Sequence, residues 1–204
     1  EKKTNVLSIK SMMDDYIYLL RNPAYIKFCI ISGAALGMFF AFITAGPFIL
    51  INNHGLATEK FGFFQCILVF GYMTGSYAAT RLIKTVAIST ILNGSLILLI
   101  MSAAFTLGLT FNSHETITTL GVAMFFISLA TGPIFATTPT LAMQASGSST
   151  GSAAAMLVTF EMGFGALAAL SVGILHDGSS RPLGLAIAGL ATCALLTYLI
   201  KKPE

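Results

Sequence analysis

Residues 151–175 read GSAAAMLVTFEMGFGALAALSVGIL, an apolar run broken by one charge, Glu161. Crossing roughly 30 Å of hydrocarbon takes about 20 residues of helix, so the run is long enough to span a bilayer. A carboxylate held at depth costs about 2.5 kcal/mol or more, and acids kept there serve transport paths or proton relays. Glu161 therefore points to a transporter before anything else in the chain is read.

Outward from this run, five further apolar stretches of similar length cover 25–51, 61–82, 86–110, 117–143 and 182–200. Composition agrees, with 55% hydrophobic and 9% charged residues and a mean hydropathy of +0.84. That leaves too little polar surface for a water-soluble shell. Lipid admits only helices or closed barrels, and barrel strands would alternate in polarity. The expectation is an all-α membrane protein with six transmembrane helices in a bundle over 25–200.

Lys and Arg in short loops stay on the cytoplasmic side. Lys2, Lys3, Lys10, Arg21, Lys27, Arg81, Lys84, Lys201 and Lys202 fall on one face, and only Lys60 and Arg181 fall on the other. Both termini are expected in the cytoplasm, with 201–204 as a cytoplasmic tail. The net charge of +3 follows from this bias, so no nucleic acid partner is invoked.

The polar start EKKTNVLSIK, followed by a long apolar run, does not read as a cleaved leader. A first residue other than Met suggests a segment of a longer protein. Within 1–24, Val6, Ile9, Met13, Tyr16, Ile17 and Leu20 recur at helical spacing, which predicts an amphipathic helix on the membrane surface serving as a linker. Asn22 and Pro23 then open the first span. Cys29, Cys66 and Cys193 lie in or beside spans and imply no disulfide framework. His54, His114 and His176 sit in separate short loops without metal spacing and read as solvated. No loop sets a nucleophile beside a base, which argues against an enzyme and against a metal or organic cofactor.

At about 1.5 Å per residue, Glu161 lies some 15 Å into its helix, near the bilayer midplane, where alternating-access transporters bind cargo. Competition between a proton and a cation for one carboxylate is sufficient to couple their movements. Gln65 and Tyr72 share a helix face and, with Thr44 and Thr138, could line the same cavity. Asn93 and Thr131 are weaker candidates. For each of these groups the plainer reading is hydrogen bonding between packed helices. Phe39 and Phe42, with Phe40, Phe125, Phe126 and Phe135, could form an aromatic wall for amphipathic cargo. Gly46 with Pro47, and Gly132, Pro133 and Pro139, should break or kink two spans and are candidate hinges. Gly33 with Gly37, and Gly71 with Gly75, suit close helix contacts.

Thr150 to Leu157, followed by Glu161 and by Gly165 to Leu167, resemble the eleventh span of the Bcr/CflA drug-resistance branch of the major facilitator superfamily. DYIYLLRNP with Tyr25 is similar to that family's central linker, Phe42 to Phe48 with Ala45, Gly46 and Pro47 to its seventh span, and Pro139 to Met143 also fits. The resemblance implies the C-terminal half of a twelve-span drug:proton antiporter in a bacterial inner membrane. Its partners would be an N-terminal six-span half, the bilayer and a small amphipathic substrate, and its energy source the proton gradient. The family often has Gln at the position of Glu161, so this charge is a local departure. Against this stands a different class, a six-span homo-oligomeric channel or structural module acting alone.

Overall fold

The computed structural model describes residues 9–112, 115–147 and 150–200, and every regular element among them is helical. In order these are α1 (Ile9–Leu20), α2 (Pro23–Pro47) continued by a π-helical segment (Phe48–Asn53), α3 (Thr58–Leu82), α4 (Ile88–Phe111), α5 (Ile117–Ala145), α6 (Thr150–Ile174) and α7 (Arg181–Leu199). The expected tail at 201–204, and Val6 of the expected amphipathic face, lie outside the described residues.

Local chemistry sets the helix starts. The Asn22 side-chain oxygen accepts from the backbone N–H groups of Ala24 and Tyr25 at 3.1 and 3.3 Å, with Pro23 in the first turn, where its missing N–H has no cost. The Asn22 amide also donates to the Ala145 carbonyl at 2.7 Å, fastening the start of α2 to the end of α5. Thr116 and Thr119 form a reciprocal capping box at α5.

Five of the six expected spans are long and apolar enough to cross a membrane: Pro23–Asn53, Ile88–Phe111, Ile117–Ala145, Thr150–Ile174 and Arg181–Leu199. The sixth, expected at 61–82, is helical as α3 and has 25 residues, but it does not reach the same apolarity. Glu59, Lys60, Gln65, Thr74, Ser76, Thr80 and Arg81 dilute it; Phe64, Leu68, Gly71, Gly75 and Ala79 form its buried stripe, while Phe63, Phe70, Met73 and Tyr77 are exposed on its other faces.

The helices form two layers. α3, α5, α2 and α6 stand side by side in that order, and α4 and α7 pack together behind α5 and α2. A large apolar core joins α2, α5, α4 and α7 through residues such as Met38, Leu96, Met124 and Ile187. A smaller cluster of Leu19, Tyr25, Cys29, Ala142, Ala153, Met156 and Leu157 holds the end near α1. There α1 docks through Leu19, which is fully buried, while Met13, Ile17 and Leu20 remain exposed. Those exposed apolar residues lie on the outer face of α1, the side that a helix resting on a membrane surface turns to lipid.

Close backbone approach fixes the α3–α5 pair. A Cβ at Gly75 would strike the Leu129 carbonyl oxygen, and one at Gly132 would lie 2.5 Å from the Tyr72 carbonyl and 2.7 Å from the Ser76 nitrogen. Pro133 has no N–H to offer the Leu129 carbonyl, and that carbonyl is the atom facing Gly75. Gly33 and Gly37 likewise sit against the Phe160 and Phe164 carbonyls of α6. Both small-residue pairs thus work inside this bundle.

Neither proline site breaks its span. α5 continues without interruption through Gly132, Pro133 and Pro139, and Thr137 Oγ1 donates to the Pro133 carbonyl at 2.8 Å. Gly46 and Pro47 do not end their span either. Beyond Pro47 the helix widens into a π-helical turn, where a lost ladder bond is absorbed by changing the hydrogen-bond step.

Candidate functional site in the seam between α2 and α6

α2 and α6 run parallel in close contact, and the polar groups between them occur at helical intervals. Tyr25, Cys29 and Ser32 lie on one face of α2 and are fully buried. The Tyr25 hydroxyl donates to the Ala153 carbonyl at 2.6 Å. Two turns further along, Ser32 Oγ donates to Glu161 Oε1 at 2.5 Å. Glu161 is half-buried, so one carboxylate oxygen is held by the seam while the side chain keeps an open side.

Ser32 stands apart from most other helical hydroxyls. Thr44, Thr74, Thr80, Thr106, Thr138, Thr159, Ser171 and Thr192 each donate to the carbonyl four residues earlier in their own helix. That local bond is the default for Ser and Thr in apolar helices. Ser32 instead donates across to the acid, which gives the half-buried carboxyl group a partner. Ser76, donating to the Gly132 carbonyl at 3.1 Å, also reaches across helices.

Of the two glycines flanking Glu161, Gly163 faces open space and Gly165 is covered. The Phe40 ring packs on Gly165, within 3.0 Å of where a Cβ would lie, and the Phe164 ring covers Gly33. Val158 is exposed.

The other expected site residues are distributed along the row. Gln65 and Tyr72 are half-buried on α3, at the opposite end of the row from α6, and Tyr72 meets Phe135 edge-on at 6.1 Å. Thr44 is exposed and bonded to Phe40. Thr138 and Thr131 are fully buried, bonded to Ile134 and Ser128 of their own helix. Each spends its hydroxyl proton on its own helix. Phe42 is buried and stacked on Phe64 at 5.8 Å, and Phe39 packs against the same core. Phe42 is thus a core residue, whereas Phe39 is partly buried at the edge of that core.

A second polar cluster, which composition and spacing do not reveal, lies at the end opposite α1. His54 Nε2 and Glu115 Oε1 are 3.1 Å apart, and the Ser180 hydroxyl donates to the other Glu115 oxygen. Asn53 donates to the Gly178 carbonyl at 3.1 Å, and His176 meets Phe48 edge-on with centroids 4.0 Å apart. His54 is thus engaged and not simply solvated, His176 is exposed with its ring edge-on to Phe48, and His114 lies outside the described residues. The only sequence signal was the coincidence of an acid and a histidine in loops on one side. Among the described residues no group of three or more metal-type side chains gathers.

No family model matches the chain. It is 25% identical over 166 residues to a Bacillus subtilis (strain 168) protein named as an uncharacterized MFS-type transporter, YdgK. The match takes in 81% of this chain and 41% of that relative, so the chain spans less than half of the relative's length. With five helices long and apolar enough to cross a membrane, the chain is thus distantly similar to part of a protein named as an MFS-type transporter.

Proposed function

We propose that this chain forms the C-terminal six-helix half of a proton-coupled exporter of small amphipathic molecules, related to the Bcr/CflA branch and working by alternating access. The observation that carries the reading is the Ser32–Glu161 hydrogen bond: an acid within an apolar helix, oriented by a neighbouring helix and left half-open. An acid serving only to pack helices gains nothing from an open side, whereas one that exchanges protons or meets cationic cargo requires it.

The layering supports the same reading. Because α4 and α7 cover one face of α2 and α5, the exposed Ile43, Thr44, Val122 and Phe126 of these central helices mark the other face. A second six-helix half placed there would complete a cavity bordered by α6 with Glu161 on one side and α3 with Gln65 and Tyr72 on the other. The π-helical turn after Pro47 and the Gly132–Pro133 crossing would serve as the flexing points of the cycle. Orientation follows the basic residues, with α1 in the cytoplasm of a bacterial cell and the membrane the inner one.

The test is drug-driven proton movement in vesicles carrying the complete transporter. Because the resembled family often has Gln here, Glu161 acts as a modulator of substrate charge or proton exchange, and Glu161→Gln is expected to reduce, without abolishing, proton release driven by cationic drugs while leaving the protein folded. Unchanged coupling and unchanged cation transport would remove the functional case for this residue.

A further inference from the structure

We propose that His54, Glu115 and Ser180 form an acid-strengthened clasp that ties together all three interhelical connections at the end opposite α1. The proposal does not depend on Glu161 or on the transported molecule.

Each of the three connections contributes one arm. His54 belongs to the link between α2 and α3, Glu115 to the link between α4 and α5, and Ser180 to the link between α6 and α7. Glu115 is the hub, with one oxygen on His54 and the other on Ser180. Its side chain is 12% exposed and that of His54 22%, so the pair is shielded from the solvent that makes surface ion pairs weak. Asn53 adds a fourth link to the Gly178 carbonyl. Gly178 has φ +84°, a backbone state that glycine adopts without strain.

The chemistry of the hub makes the clasp respond to acid. An imidazole gains its proton over about pH 5 to 8. With His54 neutral its Nε2–H donates to the Glu115 carboxylate; with His54 protonated the attraction between opposite full charges is added to that bond. The other charged group lining this cleft of about 360 Å³ is Arg181 of α7, which is directed over the Phe111 ring at 5.6 Å. Asp177 is engaged by Ser179, His176 by Phe48, and Glu59 and Lys60 in the first turn of α3 are exposed. In the expected orientation the clasp faces the exterior. External acid would then draw the outer ends of α2 to α7 into one unit.

Hydrogen exchange of the complete transporter in phosphatidylethanolamine/phosphatidylglycerol nanodiscs tests this. After correction for intrinsic exchange rates, amides of 54–57 and 175–180 should gain several-fold protection between pH 8 and pH 6. Glu115→Gln should lower that protection at both pH values, and His54→Gln should abolish its pH dependence. Ser180→Ala should loosen 175–180 while 54–57 keep their pH response. Protected amides in the α2–α6 seam establish that each variant is folded. Protection in Glu115→Gln equal to that of the native chain, a pH response that survives His54→Gln, or an unchanged 175–180 segment in Ser180→Ala would each overturn the clasp.

Discussion

Ser32 and Glu161 are 129 positions apart in the chain, yet the Ser32 hydroxyl donates to the Glu161 carboxylate at 2.5 Å across the α2–α6 seam. Interhelical hydrogen bonds in membrane bundles contribute about 0.6 kcal/mol and at most about 1.7. Ser32→Ala should therefore lower stability by about that much, measured by unfolding in mixed micelles. Proton-coupled transport should fall by more than this loss explains, because the acid loses the group that orients it.

The α3–α5 crossing supplies a sharper stability test. Gly75→Ala and Gly132→Ala each place a Cβ into the backbone of the facing helix. Overpacking of this kind costs about 1–3 kcal/mol. Gly94 and Gly163 also lie inside helices but have open space where a Cβ would go, and Ala there should raise stability by about 0.5–1 kcal/mol. Equal melting temperatures for the two classes would show that the close crossing is not formed.

Tyr25 is the buried anchor of the same seam nearer α1. Tyr25→Phe keeps the ring and removes only the 2.6 Å bond to the Ala153 carbonyl, a loss of about 0.5–1.5 kcal/mol. Tyr25→Ala also opens a cavity and should cost about 3–5 kcal/mol. Chemical denaturation of the pair separates the contribution of the hydroxyl from that of the ring.

Outside the membrane, Asp177 has its carboxyl held below the usual range, chiefly by the Ser179 hydroxyl and then by the Ser179 backbone N–H. A depressed folded-state value means that the turn is fully stabilised above the ordinary carboxylate range, about 3.9, and loses that support as pH falls through the lower folded value. Ser179→Ala should move the Asp177 titration upward in NMR, and Asp177→Asn should remove the acid dependence of the turn between α6 and α7. A titration unaltered by Ser179→Ala would refute the assignment.

How much of this was legible in the chain can be followed residue by residue. The apolar run lengths determined five membrane-fit helices to within a few residues, since burial of a helix in hydrocarbon depends on local composition. The stretch 61–82 was expected as a sixth span and is helical as α3, but its polar residues keep it short of the apolarity of the other five, and only its packing on α5 shows which face is buried. The small-residue pairs were legible as contact sites, but their partners were not. The threonines were misleading because a hydroxyl in a helix can satisfy itself locally, and sequence does not distinguish that from a bond to a neighbour.

The sequence by itself determined that Glu161 sits deep in an apolar helix, that the charges are asymmetric, and that the chain is helical. The tertiary structure alone decided that Ser32 meets Glu161, that Phe42 belongs to the core, and that His54, Glu115 and Ser180 converge. The reason is physical. Helix formation and membrane insertion depend on each segment's own composition, whereas these pairings depend on the rotation and register of helices far apart in sequence, which close packing of the whole bundle sets.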